Sequence, residues 1–416
     1  MTRRDPLPEI AAAAHQAIVF RQHFPPRHER SALSCFGGAP VAPRDFRWPR
    51  PERGDDPKPF AFLMQIDCGA IPEAARLDLL PDRGVLFFFH DSAWTQSEAF
   101  RVIYRDGDEA HWEPVPPPDD LEPAYGKHCA SAWKWPQASA DCPLLLPRWT
   151  FDPVAITFAR DADDQEEEGA PLLWSGATGV AEALRAAQGE DIVEDPFSVK
   201  NLIEAGGVRR PFAGYPHDWR AVQMCAGLVL NRIRHRVAGM AGLRHLTDDE
   251  RTSLIERIGD EARAWYDRAA SHSPFAAVPA PERDQFWSWL ADKPTFVHFV
   301  LIDALTASIE ASLAASPDAA ARVPADAARR VHGRHALVVR YDDRLIARPA
   351  NRMLAPPVDV QGHQWDRAKT HLLLLELSAS EGLGHHFGEG VYQFWITPDD
   401  LKARRFDKVE LTADAY

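Results

Sequence analysis

Ala61-Phe62-Leu63-Met64-Gln65-Ile66-Asp67, a Pro81-Asp82-Arg83-Gly84 turn, and then Val85-Leu86-Phe87-Phe88-Phe89 decide the fold of this chain. Two apolar, aromatic-rich runs bounded by turn residues read as an antiparallel strand pair. The same order returns near the end, with His371-Leu372-Leu373-Leu374-Leu375-Glu376-Leu377, a Gly-rich loop from Glu381 to Gly390, and Val391-Tyr392-Gln393-Phe394-Trp395-Ile396. The echo predicts two related antiparallel-sheet lobes. A second echo is read between Phe212-Ala213-Gly214-Tyr215-Pro216 with Gln223 and Met353-Leu354-Ala355-Pro356-Pro357 with Gln361.

Outward from these pairs, strand-like runs are expected at Phe100–Tyr104, Val154–Phe158, Ala336–Tyr341 and Lys408–Thr412, and short helices at residues 6–20 and 177–188. The middle of the chain changes period. Thr247-Asp248-Asp249-Glu250 is a capping box, followed by Leu254, Ile255, Ile258, Ala262, Trp265 and Tyr266 at helical spacing. Phe296, Val297, Val300, Leu301, Ala304, Leu305 and Ile309 repeat that spacing, and further helices are expected at Trp219–Val237 and Asp284–Leu290. The predicted architecture is therefore α+β: an N-terminal lobe over 1–218, a helical insertion over 219–330, and C-terminal strands over 331–416 that complete the core.

Composition narrows the function. Lys plus Arg total 47 against 61 Asp plus Glu, a net charge of −14 that repels phosphate backbones and anionic lipid headgroups. The basic clusters are short and carry no interleaved aromatics, so nucleic acid is not expected as a partner. The five cysteines are odd in number and lack a C-x-x-C spacing, which argues against a disulfide framework and a zinc knuckle. No apolar leader follows Met1, and His298 and Asp303 interrupt the stretch 296–307, so neither a signal peptide nor a membrane span is expected. A cytoplasmic location is the resulting expectation.

Ser34-x-Phe36-Gly37-Gly38-x-Pro40-x-x-Pro43 with Trp48-Pro49, then Gln65-Ile66-Asp67, then Leu80-Pro81-Asp82-Arg83-Gly84-Val85-Leu86-Phe87-Phe88, resemble in order the signatures of the YwqG-like family. The run from Leu372 through Asp407 resembles its C-terminal signature. The likeness covers residues 31–105 and 350–411. Glu376-Leu377-Ser378 departs from it where the family tends to have Gln-x-Asp. The family's Gly-Tyr-Pro…Gln element is met by Gly214-Tyr215-Pro216…Gln223 or, degraded, by Ala355-Pro356-Pro357…Gln361. The resemblance implies the fold and no established activity. It also implies a role as an immunity-type or partner-binding protein, since some members are encoded beside secreted-toxin systems.

Six residues are candidates for ligand binding: Gln65, Asp67, Tyr215, Gln361, Glu376 and Glu389. Gln65 and Asp67 share one strand face, and polar groups among Phe62, Leu63 and Ile66 must be satisfied if buried. They either hold a neighbouring loop or line a polar cleft. Glu376 carries the same ambiguity with a charge added. His363, His385 and His386 with Glu389 are the densest set of metal-type ligands, yet adjacent histidines rarely share one ion and no H-E-x-x-H is present. No tightly bound metal and no cofactor are expected, and truncating His385 with His386 is expected to leave folding nearly unchanged. The leading expectation is a non-catalytic protein that binds a basic protein partner. The alternative is an enzyme or small-ligand protein with a polar cleft between the lobes.

Overall fold

Ten strands of mainly apolar residues pair into one sheet, described with the rest of the chain by a computed structural model covering residues 8–52, 57–91, 99–123, 144–160, 174, 177–189, 193–194, 203–204, 207–236, 246–298, 300–341, 344–348, 351–359, 364–385 and 390–414. In chain order the strands are β1 (Gln16–Gln22), β2 (Cys35–Phe36), β3 (Ala61–Asp67), β4 (Val85–His90), β5 (Phe100–Arg105), β6 (Trp149–Thr157), β7 (Arg352–Met353), β8 (Leu372–Ser378), β9 (Val391–Ile396) and β10 (Glu410–Asp414). Across the sheet they run β10-β9-β8-β7-β1-β6-β2-β3-β4-β5. Every neighbouring pair is antiparallel.

This order is symmetric about the β1–β6 seam. Strands β1–β5 and β6–β10 are two repeats, and each places its first strand against the other repeat. Registers match in detail. Cys35 pairs with Gln65 as Arg352 pairs with Glu376. A bulge falls between Phe62 and Met64 in β3 and between Leu373 and Leu375 in β8. Phe151 N donates to Ser34 O (3.1 Å) and Phe20 N to Asn351 O (3.4 Å). Arg21 and Asp152 occupy equivalent positions on the seam, face each other in register, and form an ion pair at 3.0 Å. The two related lobes are thus halves of one continuous sheet.

The second echo read from sequence does not align this way. Met353-Leu354-Ala355-Pro356-Pro357 stands where the first repeat has Phe36-Gly37-Gly38-Ala39-Pro40, and the equivalent prolines each accept a backbone hydrogen bond, from Val115 N (2.8 Å) and Trp174 N (2.9 Å). Tyr215 belongs to neither set of repeated strands and lies in the helical unit. The helix expected over 6–20 stops early: Pro8–Ala13 is helical and Gln16 begins a strand. Ala17, Ile18 and Val19 are fully buried, and a strand covered on both faces has no alternating pattern to separate it from a helix. At 177–188 the helix is Val180–Gln188, while Ala177–Thr178 pairs with Ala159–Arg160.

One face of β3 and β4 is covered by the loop after β2. Phe62, Val85, Phe87 and Phe89 pack there with Val41, Ala42, Phe46 and Trp112, each buried Phe contributing roughly 2–3 kcal/mol. On the opposite face the two halves meet at equivalent residues, the rings of Phe88 and Phe394 standing 5.3 Å apart.

Contacts divide the chain into two units, Met1–Gly126 with Pro143–Glu194 and His335–Tyr416, and Lys127–Cys142 with Asp195–Arg334. The helical unit therefore begins before residue 219. Its main helices are α1 (Trp219–Arg236), α2 (Asp248–Ala270), α3 (Ala280–Ala291) and α4 (Val300–Ala315). Both halves of the capping box at Thr247 and Glu250 form, and α1 packs against α2 and α4. In the chain this unit interrupts the link between β6 and β7, where the first repeat needs only residues 23–34 between its own first two strands.

Candidate functional site

The polar residues of the repeated strands occupy equivalent places and do equivalent work. Gln65 is fully buried, and its Oε1 accepts from Val41 N at 2.8 Å. Glu376 is fully buried, and its Oε2 accepts from Val358 N at 3.0 Å. Val41 and Val358 each lie six residues beyond the strand partner of that side chain, Cys35 or Arg352. One turn later the match continues: Asp67 N donates to Ser34 Oγ (3.0 Å) and Ser378 N to Asn351 Oδ1 (2.8 Å). In each half a buried acceptor on the central strand fastens the loop that crosses its outer face. An unmatched amide at this depth would cost about 1–3 kcal/mol.

Charge distinguishes the halves. Where the first has Cys35, Gln65 and Phe87, the second has Arg352, Glu376 and Gln393. The Arg352 guanidinium pairs with Glu376, both side chains being buried. It also lies 3.9 Å from the centre of the Trp174 ring, a desolvated cation–π contact. Gln393 Nε2 donates to Glu376 Oε2 (2.8 Å) and to Val358 O (2.7 Å). Thr412 continues the network: its Oγ1 donates to Gln393 Oε1 at 3.4 Å and accepts from Trp395 Nε1 at 2.9 Å. A buried carboxylate is tolerated only when its charge and lone pairs are met, and here the guanidinium supplies the counter-charge while a backbone amide and a side-chain amide donate to Oε2.

The remaining candidates separate. Asp67 caps the 3-10 turn Cys68–Ala70, its Oδ1 accepting from Gly69 N at 2.8 Å, and burial raises its carboxyl above the usual range. Tyr215 sits in the helical unit, fully buried, with its hydroxyl pushed well above its ordinary value by that burial. His385 is buried, with its ring 5.8 Å from Phe36. That burial places its side chain against the aromatic core. Gln361, His363, His386 and Glu389 lie outside the described residues. Among the described residues no three of His, Cys, Asp or Glu come together as metal ligands, and no helix is long and apolar enough to cross a membrane.

One constellation was not anticipated from sequence. Next to Tyr215, His217 Nε2 stands 2.9 Å from Ser312 Oγ, and that hydroxyl donates to Asp218 Oδ2 at 2.7 Å. The residue types are those of a nucleophile relay, but the order is not. A relay needs the carboxylate on the far ring nitrogen and the hydroxyl free to attack. Here the carboxylate holds the hydroxyl, all three side chains are buried, and Asp218 Oδ1 accepts from Ala221 N (2.9 Å) at the start of α1. The cluster ties α1 to α4. Only the pair His217-Asp218 was visible in the sequence, since Ser312 is brought to it by helix packing.

The family described as "Domain of unknown function (DUF1963)" matches the chain over residues 34–254 and again over 258–415. The chain belongs to this family. The first DUF1963 match holds β2 to β6, which are the five strands of one half-sheet, and the second holds β7 to β10 of the other. No curated protein matches the chain. What the YwqG-like resemblance located at Ser34–Pro43 and at Gln65 is, in the folded chain, a loop and the buried amide that fastens it. That loop forms one wall of an open groove of about 490 Å³ lined by Arg30, Pro43, Arg44, Asp108, His111, Trp112 and Glu113.

Proposed function

We propose that this DUF1963 protein is a non-catalytic, cytoplasmic protein that binds a basic protein partner, of the immunity type implied by the family resemblance. The observation that carries the reading is the engagement of the repeated polar residues. Gln65 and Glu376 lie in opposite halves, and each accepts from the backbone of its own covering loop. Their oxygens are occupied by the fold, which supports a scaffold that presents its surface and gives no support to a reactive cleft built on them. The excess of 61 acidic over 47 basic residues makes that surface suited to a cationic protein and unsuited to nucleic acid.

The test is affinity purification of the full chain from its native cytoplasm at low salt, followed by kinetics with the purified partner. A stoichiometric basic partner whose association slows at least tenfold between about 50 and 500 mM salt is the expected result, because screening shortens the reach of complementary charge. A chain that purifies without a partner at low salt, or an association indifferent to salt, overturns the reading.

A further inference from the structure

The groove beside the Ser34–Pro43 loop has features that the partner-binding reading does not use. Its volume, about 490 Å³, lies within the range of roughly 300–1,000 Å³ typical of small-molecule sites. Its two sides are tied together: Val41–Ala42 pairs with Glu113–Pro114, and Val115 N donates to Pro40 O at 2.8 Å. Phe46 N donates to Pro43 O (2.9 Å), closing a turn at Arg44 and Asp45. Gln65, through Val41, holds the same wall from beneath. Trp112 forms an apolar floor, buried and stacked on Phe87 at 6.3 Å. The cavity is therefore preorganised.

Its charges are unevenly engaged. In the same half of the molecule Arg50 reaches Asp120, Arg83 reaches Asp106 and Arg101 reaches Glu52. Arg30 and Arg44 line the groove, both exposed, with no hydrogen bond or ion pair among the described residues. Asp108 is engaged locally: its Oδ2 meets His111 Nδ1 at 2.8 Å and its Oδ1 accepts from Ala110 N at 3.3 Å. Glu113 is left as the one lining carboxylate with no such partner among the described residues. Two guanidiniums and a buried indole lining one groove match an oxyanion group attached to a flat or apolar body, and Glu113 opposes a second negative charge.

We propose that this groove binds a small organic oxyanion, a carboxylate or a phosphate monoester, with Arg30 and Arg44 as the anion-binding groups and Trp112 as the platform. The proposal does not depend on a protein partner. The full chain is titrated with benzoate and, separately, with phenyl phosphate at constant ionic strength, with chloride as the reference, and thermal stability is followed. The expected result is a saturable rise for at least one probe, with half-saturation in the millimolar range. A rise with benzoate alone assigns a carboxylate, and one with phenyl phosphate alone assigns a phosphate. In the Arg30→Ala, Arg44→Ala double variant, which alters two exposed side chains, half-saturation moves up at least tenfold. The Arg83→Ala control, outside the groove, keeps the wild-type curve. No saturable rise with either probe, or an unchanged curve in the double variant, overturns the proposal.

Discussion

Replacing Arg352 by Met removes the counter-ion of a fully buried carboxylate while keeping an unbranched chain beneath Trp174. Glu376 then retains only Val358 N and Gln393 Nε2 as donors, and breaking a buried pair in this way costs about 3–5 kcal/mol. The first repeat shows how the same position works without charge, with Cys35 beside Gln65 and the amide oxygen still accepting from Val41 N. Adding Glu376→Gln to Arg352→Met should recreate that arrangement, since a Gln oxygen can accept from both Val358 N and Gln393 Nε2. The double variant is expected within about 1 kcal/mol of the parent, giving a coupling between the two sites of at least ~2 kcal/mol. Because the chain has two units, hydrogen exchange read on the Leu372–Ser378 peptide is the suitable assay. Arg352→Met alone should accelerate its exchange by roughly two to four orders of magnitude, at one decade per 1.4 kcal/mol. If the two substitutions prove additive, the neutral and charged triplets are not interchangeable and the energetic equivalence of the repeats is refuted.

Gly37, at φ +53°, would place a Cβ 2.3 Å from Pro147 O, whereas Gly179, at φ +73°, has open space around it. Gly37→Ala is expected to cost more than ~2 kcal/mol and Gly179→Ala only about 1 kcal/mol in urea unfolding; equal costs would contradict the close approach at Gly37. Burial lowers the pKa of His217, against the opposing pull of Asp218. The unfolded chain therefore binds the proton first, so stability of the helical unit should be complete above about pH 6.5 and fall as pH drops below it. His217→Gln should flatten that slope between pH 7.5 and pH 5 in thermal melts. Burial pushes the Cys35 thiol up to about 11 and those of Cys68 and Cys225 up to about 12, so iodoacetamide at pH 8 should leave all three unmodified in the native protein by mass spectrometry.

Several features were legible because they are local. The capping box at Thr247 and Glu250 announces a helix from four residues, and the bounds Asp248–Ala270 follow from it and from the apolar spacing behind it. Strand β9 was readable to the residue and β4 to within one, since aromatic and β-branched runs between turn residues have few other uses. Gln65 and Glu376 were marked for the same reason: a polar side chain inside such a run must find a partner. Arg30, Arg44 and the Ser312 hydroxyl carried no comparable signal. Each is unremarkable in its own segment and acquires meaning only from residues 64 to 95 positions away.

The sequence alone determined the α+β class, the repeated strand pair and the helical middle, because hydrophobic period and turn chemistry act over a few residues. Tertiary structure alone decided how the repeats combine. No local pattern states that β1 lies against β7 and β6 against β2, since strand exchange is chosen by which faces bury together and which backbone edges remain to be paired. The same holds for the partners of each buried polar group. That Glu376 meets a guanidinium while Gln65 meets a neutral thiol residue follows from what the register places beside them, and register is settled only when the whole sheet closes.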